Sequence, residues 1–169
     1  QTMELAVAGR PCHAITLNAT GTAGRPTVLL IHGAANDSDV WQKIAQGLAA
    51  AGYPSLTPDL PGHGLSHGEA LGSIEALADW IVALLDAAGI EKAILAGHSM
   101  GSLIALEVAA RHPQRVSALA LLGASAPMPV ADALLVSARN TPDSACRMIM
   151  KFSHTPDFTL HGGGGHGVW

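Results

Sequence analysis

Charged and aromatic residues are both scarce in this chain of 169 residues, at 13% and 4% of the total. The net charge of −4 at pH 7 argues against nucleic acid as a partner. Apolar residues reach 49% but form no long run, and stretches such as Ala118 to Leu122 are far short of a membrane span. The composition therefore favours a globular chain with well-buried strands and argues against a membrane partner.

Cysteine is nearly absent, since Cys12 and Cys146 are the only two. Two distant cysteines do not form the disulfide framework of a small secreted domain. The first residues also lack the pattern of a secretory signal. We therefore expect reduced, structural thiols and a cytoplasmic location.

Nucleotide-binding motifs are missing as well. Residues 59–66, Asp-Leu-Pro-Gly-His-Gly-Leu-Ser, follow the short strand-like run Ser55 to Thr57 and predict a tight loop. Gly62 and Gly64 could suggest a phosphate cradle, but no third glycine follows at dinucleotide spacing and no Gly-Lys-Ser/Thr occurs. We expect no cofactor.

What the chain does contain is the pattern Gly-x-Ser-x-Gly at residues 97–101, directly after the apolar run Ala93 to Ala96. Apolar residues then recur at helical spacing until a stop signal at residues 111–113, Arg-His-Pro. Strand, pentapeptide and helix together form a nucleophile elbow, which lifts the serine hydroxyl clear of the backbone. Ser99 is therefore the candidate nucleophile, and the alternative is a serine that only caps the helix.

A second strand-like run, Thr27 to Ile31, ends at His32, Gly33 and Ala34. A glycine directly after a strand lets the backbone turn and present an N–H group to a pocket. Acyl transfer needs two such donors converging on the developing oxyanion. We choose the N–H groups of Ala34 and Met100 as this pair, with an ordinary strand-to-loop turn as the alternative.

These segments together, His32-Gly33, residues 59–66 and residues 97–101, resemble the α/β-hydrolase family. The resemblance covers roughly residues 3–125. It implies an α/β fold with a mostly parallel, twisted sheet of eight strands, helices on both faces, and Ser99 as the nucleophile. An aspartate in that place would point to a dehalogenase or an epoxide hydrolase, whereas serine points to esters, thioesters, amides or activated carbon–carbon bonds.

The remaining periodicity predicts the same order of elements. Glu4 to Val7 and His13 to Leu17 predict a hairpin. Apolar stripes from Trp41 to Ala51 and from Leu77 to Ala88 predict helices, each followed by a glycine, and residues 116–122 predict a sixth strand. Strands alternating with helices favour a parallel sheet covered on both faces.

After Gly123 the chain departs from the family pattern, in which an acid and then a histidine follow the serine. No seventh or eighth strand is predicted, and residues 131–139 and 143–152 predict helices that resemble a cap inserted after strand six. We therefore divide the chain into a core of six strands, residues 1–125, and an incomplete helical cap, residues 126–169. A missing carboxyl-terminal segment or a complementary chain is expected to supply the triad acid and histidine, so this chain alone should be inactive.

Other polar residues are expected to have structural roles. His32 and His63 are interpreted as loop hydrogen-bonders, and His98 as a packing residue beside the nucleophile. The run His161-Gly-Gly-Gly imitates a lipase oxyanion motif but follows the nucleophile instead of preceding it. A metal site is not expected, because the irregular spacing of the tail histidines does not suit one. Those histidines are His154, His161 and His166. Glu107 and His112 are expected on the elbow helix, leading away from the edge of the sheet. Asp132, Asp143 and Asp157 are interpreted as solvated residues of the cap.

The sequence thus predicts a carboxylesterase-like serine hydrolase that acts through an acyl-enzyme. The substrate is expected to be a small to medium apolar acyl compound, since the predicted cap is rich in aliphatic side chains. Two alternatives stay open: a hydrolase of carbon–carbon bonds that uses the same residues, and a non-catalytic ligand receptor that keeps the pocket.

Overall fold

The structure, a computed structural model that describes residues 1–18 and 24–153, begins with a β-hairpin. Strand β1 (Thr2–Val7) pairs antiparallel with β2 (Arg10–Leu17) across a turn at Ala8 and Gly9. Both turn residues have positive φ, 48° and 77°, a conformation that only glycine adopts without strain. The predicted hairpin is confirmed, although β2 begins three residues earlier than the sequence pattern indicated.

Four further strands complete one sheet: β3 (Val28–Ile31), β4 (Ser55–Pro58), β5 (Ala93–His98) and β6 (Val116–Leu122). The strand order is β1-β2-β4-β3-β5-β6. Strands β4, β3, β5 and β6 are parallel, whereas β2 joins β4 antiparallel. This mostly parallel sheet confirms the predicted fold class, with six strands among the described residues where the resemblance implies eight.

Three helices connect the parallel strands: α1 (Gln42–Ala50), α2 (Ile74–Ala87) and α3 (Met100–Arg111). A 3₁₀ turn, Ser38–Trp41, leads into α1, so Trp41 belongs to that turn and not to the α-helix itself. Both α1 and α2 are followed by a glycine with positive φ, as the sequence predicted for Gly52 and Gly89.

The two faces of the sheet bury unequal apolar clusters. Leu29 and Ile31 of β3 belong to the larger cluster, which includes residues of α2 and α3. Val28 and Leu30, which alternate with them, belong to a smaller cluster with Trp41 and Ala45. This division follows from the two-residue period of a strand, and the four consecutive apolar residues of β3 are all buried.

Strand β6 forms one edge of the sheet within the described part of the chain. It pairs with β5, and its residues after Val116 are exposed. Leu119, Leu121 and Leu122 are 38%, 40% and 42% exposed. An apolar edge strand of this length is the kind that proteins normally cover.

A second compact unit begins at Ala126, after the unit that ends at Ser125. It contains α4 (Asp132–Asn140) and α5 (Pro142–Ser153), which pack on each other. Both helices lie within two residues of the predicted ranges. Across residues 1–18 and 24–153, no helix has the length and apolar character needed to cross a membrane.

Candidate active site

Ser99 lies between the end of β5 and the start of α3, with its backbone at φ 53° and ψ −120°. Residues other than glycine rarely adopt this conformation, so it stores strain that the surroundings must hold. The Ser99 N–H donates to the Leu122 carbonyl at 2.9 Å, which ties the turn to β6. The side chain of Ser99 does not cap α3, so the interpretation of Ser99 as a capping serine is wrong.

Two glycines make the sharp turn at Ser99 possible. A Cβ at Gly97 would lie 2.5 Å from the Ser102 nitrogen and still closer to the Gly101 carbonyl. A Cβ at Gly101 would lie 2.7 Å from the His32 oxygen and closer still to the Ile31 oxygen. Strand and helix therefore approach each other closely only because neither position has a side chain.

Ser102, the third residue of α3, holds the backbone of the elbow through the Ser99 carbonyl. Its side chain is 1% exposed, and its Oγ donates to the Ser99 carbonyl at 2.5 Å. The Ser102 N–H donates to the same carbonyl at 2.9 Å. Ser102 was not among the predicted site residues, because a serine inside a helical stripe gives no signal of the carbonyl that it will contact.

The turn after β3 lies beside Ser99. A Cβ at Gly33 would be 3.2 Å from the Cβ of Ser99. Ala34 follows and is exposed, in a turn where the Asn36 N–H donates to the Gly33 carbonyl at 3.3 Å. Among the described residues, neither the Ala34 N–H nor the Met100 N–H donates to a backbone carbonyl. Two free donors thus flank Ser99 on neighbouring strand ends; their role as an oxyanion hole stays a prediction.

His32 holds this turn in place. Its Nε2 accepts the Leu60 N–H at 3.0 Å, so its Nδ1 carries the proton and donates to the Gly33 carbonyl at 2.8 Å. Burial lowers the pKa of His32 from 6.5 to about 4. With both ring nitrogens engaged and the neutral form favoured, His32 is a loop hydrogen-bonder, as predicted.

Asp59, at the end of β4, anchors the loop that the sequence marked at residues 59–66. The carboxylate accepts the Ser38 N–H at 2.7 Å, the Leu65 N–H at 2.8 Å and the His13 ring at 3.0 Å. Burial alone would raise the pKa of Asp59, but these donors together lower it below its ordinary value. This role was not predicted, because two of the three donors, Ser38 and His13, lie 21 and 46 residues away from Asp59 in the chain.

Gly62 and Gly64 are required by the backbone conformation and the close packing of that loop. Gly64 has φ 51°, and a Cβ there would press on the Asp59 carboxylate, 2.5 Å from its carbon. Gly62 has φ 74°, and a Cβ there would lie 2.5 Å from the Ala70 nitrogen. Their positive φ and their close packing against Asp59 and Ala70 explain both glycines. His63 beside them is half-buried, with its Nδ1 3.0 Å from the Pro61 carbonyl, which agrees with its predicted part in the loop.

The pair His13 and Asp59 has the contact of a catalytic histidine with its acid, at 3.0 Å between Nδ1 and Oδ2. However, β2 is separated from β5 by β4 and β3. At about 4.8 Å between neighbouring strands, this places His13 on the order of 14 Å from Ser99. The distance is too great for proton transfer, so His13 and Asp59 are structural.

His98 is exposed, and its ring lies near Gly33 and Gly123; its packing role stays a prediction. Glu107 lies on α3, and His112 follows the end of that helix. Asp132 and Asp143 lie in the first turns of α4 and α5. The tail residues Asp157, His154, His161 and His166 lie outside the described residues.

Among the described residues, neither the arrangement of possible metal ligands nor the state of the cysteines favours a metal site or a reactive thiol. No group of three or more histidine, cysteine or acidic side chains is arranged there to hold a metal ion. Both cysteines are free, with Cys12 buried and Cys146 half-buried. Burial raises the pKa of the Cys12 thiol to about 11, which disfavours the thiolate and agrees with the predicted structural role.

Known proteins resemble this chain in both sequence and structure. Lipase LipV of Mycobacterium tuberculosis is 38% identical over 102 residues, covering 60% of this chain and 38% of that protein. The pimeloyl-(acyl-carrier protein) methyl ester esterase of Aromatoleum aromaticum is 37% identical over 101 residues, with coverages of 60% and 38%. The crystal structure of the enol-lactonase from Burkholderia xenovorans aligns with a TM-score of 0.77 at 27% identity, covering 88% of this chain and 58% of that one.

The family profile that matches this chain is described as the alpha/beta hydrolase fold, and the match covers residues 26–162. The chain spans well under half the length of the curated relatives that it matches, from 26% to 40%. The matched region contains the turn after β3, the Asp59 loop and the elbow. The strand order of the sheet, the strained backbone of Ser99 and this match together show that the chain belongs to the α/β-hydrolase family.

Proposed function

We propose that the protein is a serine hydrolase in which Ser99 attacks the carbonyl carbon of an ester and forms an acyl-enzyme. The observation that carries this proposal is the strained backbone of Ser99, at φ 53°, at the junction of β5 and α3. Strain of this kind persists where the surrounding structure enforces it, and it concentrates at active sites. The side chain of Ser99 is half-buried and is not used as a helix cap.

In the proposed reaction the carbonyl oxygen of the substrate becomes an oxyanion, which the N–H groups of Ala34 and Met100 bind. Support comes from the position of both donors beside Ser99 and from their lack of a backbone acceptor among the described residues. Met100 is also the first residue of α3, so the positive end of the helix dipole lies at the same place. Each such donor contributes about 3 kcal/mol to transition-state stabilisation in acyl transfer.

Ser99 also needs a histidine as general base and a carboxylate that orients it. Neither His13 nor His32 qualifies, since one is remote and the other has both ring nitrogens engaged. We propose that a further polypeptide segment, from the same protein or from another subunit, supplies both groups beside β6. The exposed leucines of β6 support this proposal, because an added strand and its covering helix would bury them. A chain without that segment is expected to be inactive.

For the substrate we propose an ester with a small to medium apolar acyl group. The names of the similar proteins, a lipase, a methyl ester esterase and an enol-lactonase, support an ester or cyclic ester bond. The aliphatic side chains of the unit after Ser125 support an apolar acyl group, including Leu135 and Val136. We propose that this unit is the helical cap and that the protein acts in the cytoplasm, which its two free cysteines support.

The experiment that tests this proposal measures hydrolysis of p-nitrophenyl esters from acetate to decanoate by the intact protein. We expect kcat/KM to be highest for a chain of intermediate length and to fall by roughly 10⁴–10⁶-fold in Ser99→Ala. Ser73→Ala, which removes an exposed hydroxyl at the start of α2, is the control, and it should retain most of the activity. Unchanged activity in Ser99→Ala, or a preference for charged acyl groups, would contradict the proposal.

A further inference from the structure

A cavity of about 450 Å³ lies away from the elbow, between the β1–β2 hairpin, the loop after β4 and helix α2. Cavities that bind small molecules measure roughly 300–1,000 Å³, are mostly apolar and contain a few polar groups that fix orientation. The apolar part of this lining comes from all three elements: Val7, Pro11, Cys12, Leu71, Trp80 and Ala83. The strand order places the hairpin at the opposite edge of the sheet from β6, so the cavity is separate from Ser99.

Most polar groups in the lining already have partners. The Ser66 Oγ accepts the His13 N–H at 3.0 Å and donates to the Asp59 carbonyl at 2.7 Å. Asp79 lies on the α2 side, and its carboxylate is 2.8 Å from the guanidinium of Arg111, so its charge is balanced. Neither group is free to orient a ligand.

Arg10 and the exposed His67 are the remaining polar residues of the lining, and Arg10 is the one of these two that carries a permanent charge. Arg10 lines the cavity at the first position of β2, and it is exposed to solvent. Within residues 1–18 and 24–153, no carboxylate forms an ion pair with its guanidinium. The guanidinium lies against the backbone of Gly68, where a Cβ would be 2.6 Å from the Arg10 Nη1. Among the described residues, this mostly apolar cavity therefore has one permanently charged, unpaired cation at its edge, and the imidazole of His67 is also in its lining.

We propose that this cavity binds a small carboxylic acid with an apolar tail. The tail lies against Trp80, Leu71 and Ala83, and the carboxylate pairs with Arg10. A planar guanidinium binds a carboxylate through two parallel hydrogen bonds, which gives both attraction and orientation. The site is independent of Ser99 and goes beyond the proposed hydrolysis.

The test is a titration of the intact protein with hexanoate and, separately, with 1-hexanol, which has the same tail without the charge. The readout is the indole N–H resonance of Trp80, assigned by its loss in Trp80→Phe. We expect a saturable shift of this resonance, with hexanoate binding at least tenfold more tightly than hexanol. The Trp41 resonance serves as the internal control and should not move, because Trp41 belongs to the cluster on the other face of the sheet.

Two variants test the two halves of the site. Arg10→Gln should reduce hexanoate affinity to the level of hexanol, whereas Arg25→Gln, an exposed arginine that stacks on Tyr53, should leave it unchanged. Ala83→Leu should fill the cavity and weaken both ligands. Equal binding of hexanoate and hexanol, or no effect of Arg10→Gln, would overturn the proposal even if Ala83→Leu fails to fold.

A final arm separates this site from the proposed active site. Protein that has reacted with a fluorophosphonate should bind hexanoate at Trp80 with unchanged affinity. Loss of the Trp80 shift after that reaction would place hexanoate beside Ser99 and overturn the second site. If the fluorophosphonate does not react at all, the proposed hydrolysis fails while the Trp80 titration still stands.

Discussion

Ser99 and Asp59 both follow the carboxyl-terminal ends of parallel strands, β5 and β4, but the two residues differ in how fully their polar groups are hydrogen-bonded. Asp59 is 2% exposed and accepts hydrogen bonds from three donors, two of which are distant in the sequence. Ser99 has a strained backbone and is not used as a helix cap. A polar group whose hydrogen bonds are all satisfied maintains structure, whereas strain beside unused donors marks a site prepared for a ligand.

A histidine in contact with an acid, as in the pair His13 and Asp59, is insufficient evidence for catalysis. His13 and Asp59 are 3.0 Å apart, yet two strands separate them from the strand that bears Ser99. Their contact joins β2 to the Asp59 loop, and Ser38 joins the 3₁₀ turn before α1 to the same carboxylate. This centre fixes the loops beside the elbow and takes no part in the proposed chemistry.

The largest expected effect on stability concerns the elbow glycines. In Gly101→Ala the new methyl group would meet the carbonyl oxygens of Ile31 and His32, so we expect a loss of about 3 kcal/mol or more in the free energy of unfolding. Gly47→Ala is the matched control, since nothing lies within 4 Å of its added Cβ in α1, and it should raise stability by about 0.5–1 kcal/mol. Urea denaturation measures both, and equal stabilities would contradict the packing described for the elbow.

A slightly smaller effect is expected from pH through His32. Burial lowers its pKa from 6.5 to about 4, so between these values the unfolded chain takes up a proton that the native protein does not. Stability from this group is full above pH 6.5 and falls as the pH goes down to 4, by on the order of 3 kcal/mol.

Urea denaturation at a series of pH values measures this change, and His32→Asn should remove that part of the slope. The exposed His67→Asn is the control and should preserve the slope. An unchanged slope in His32→Asn would show that His32 titrates normally.

The smallest of these effects is expected at the structural centre. Asp59→Asn should lower the free energy of unfolding by about 2–3 kcal/mol, because charge-assisted hydrogen bonds become neutral ones. Burial raises the pKa of Asp59, but the N–H donors lower it by more, so that the pKa lies below its ordinary value of 3.8. The contribution of the Asp59 carboxylate to the free energy of unfolding is therefore present above pH 3.8 and is lost as the pH falls below that value.

Asp79→Asn is the matched control, since that carboxylate is 57% exposed and its ion pair with Arg111 is on the surface. We expect a loss of less than about 1 kcal/mol from it. A larger loss in the free energy of unfolding for Asp79→Asn than for Asp59→Asn would contradict the view that the buried Asp59 centre stabilises the protein more than the surface ion pair.

The elbow could be predicted from the sequence because its signals are local. An apolar run, two glycines around Ser99 and a helical stripe are contiguous, and the sheet later places them as expected. The six strands and the helices were also found in order, although β5 extends two residues further than the apolar run and β2 begins earlier.

The long-range contacts of Asp59 could not be predicted, because His13 and Ser38 reach its carboxylate only through the tertiary fold. Strand β4 lies between β2 and β3, which brings His13 beside Asp59 and His32 near Leu60. Nothing in the contiguous sequence gives this order.

Covalent labelling with a fluorophosphonate tests the central claim most directly. The intact protein should carry the label on the peptide that contains Ser99, Ser99→Ala should not react, and Ser73→Ala, changed at the start of α2, should still be labelled. Circular dichroism would establish that both variants remain folded. Labelling that persists in Ser99→Ala, or that maps to another residue of the intact protein, would contradict the assignment of Ser99 as the nucleophile.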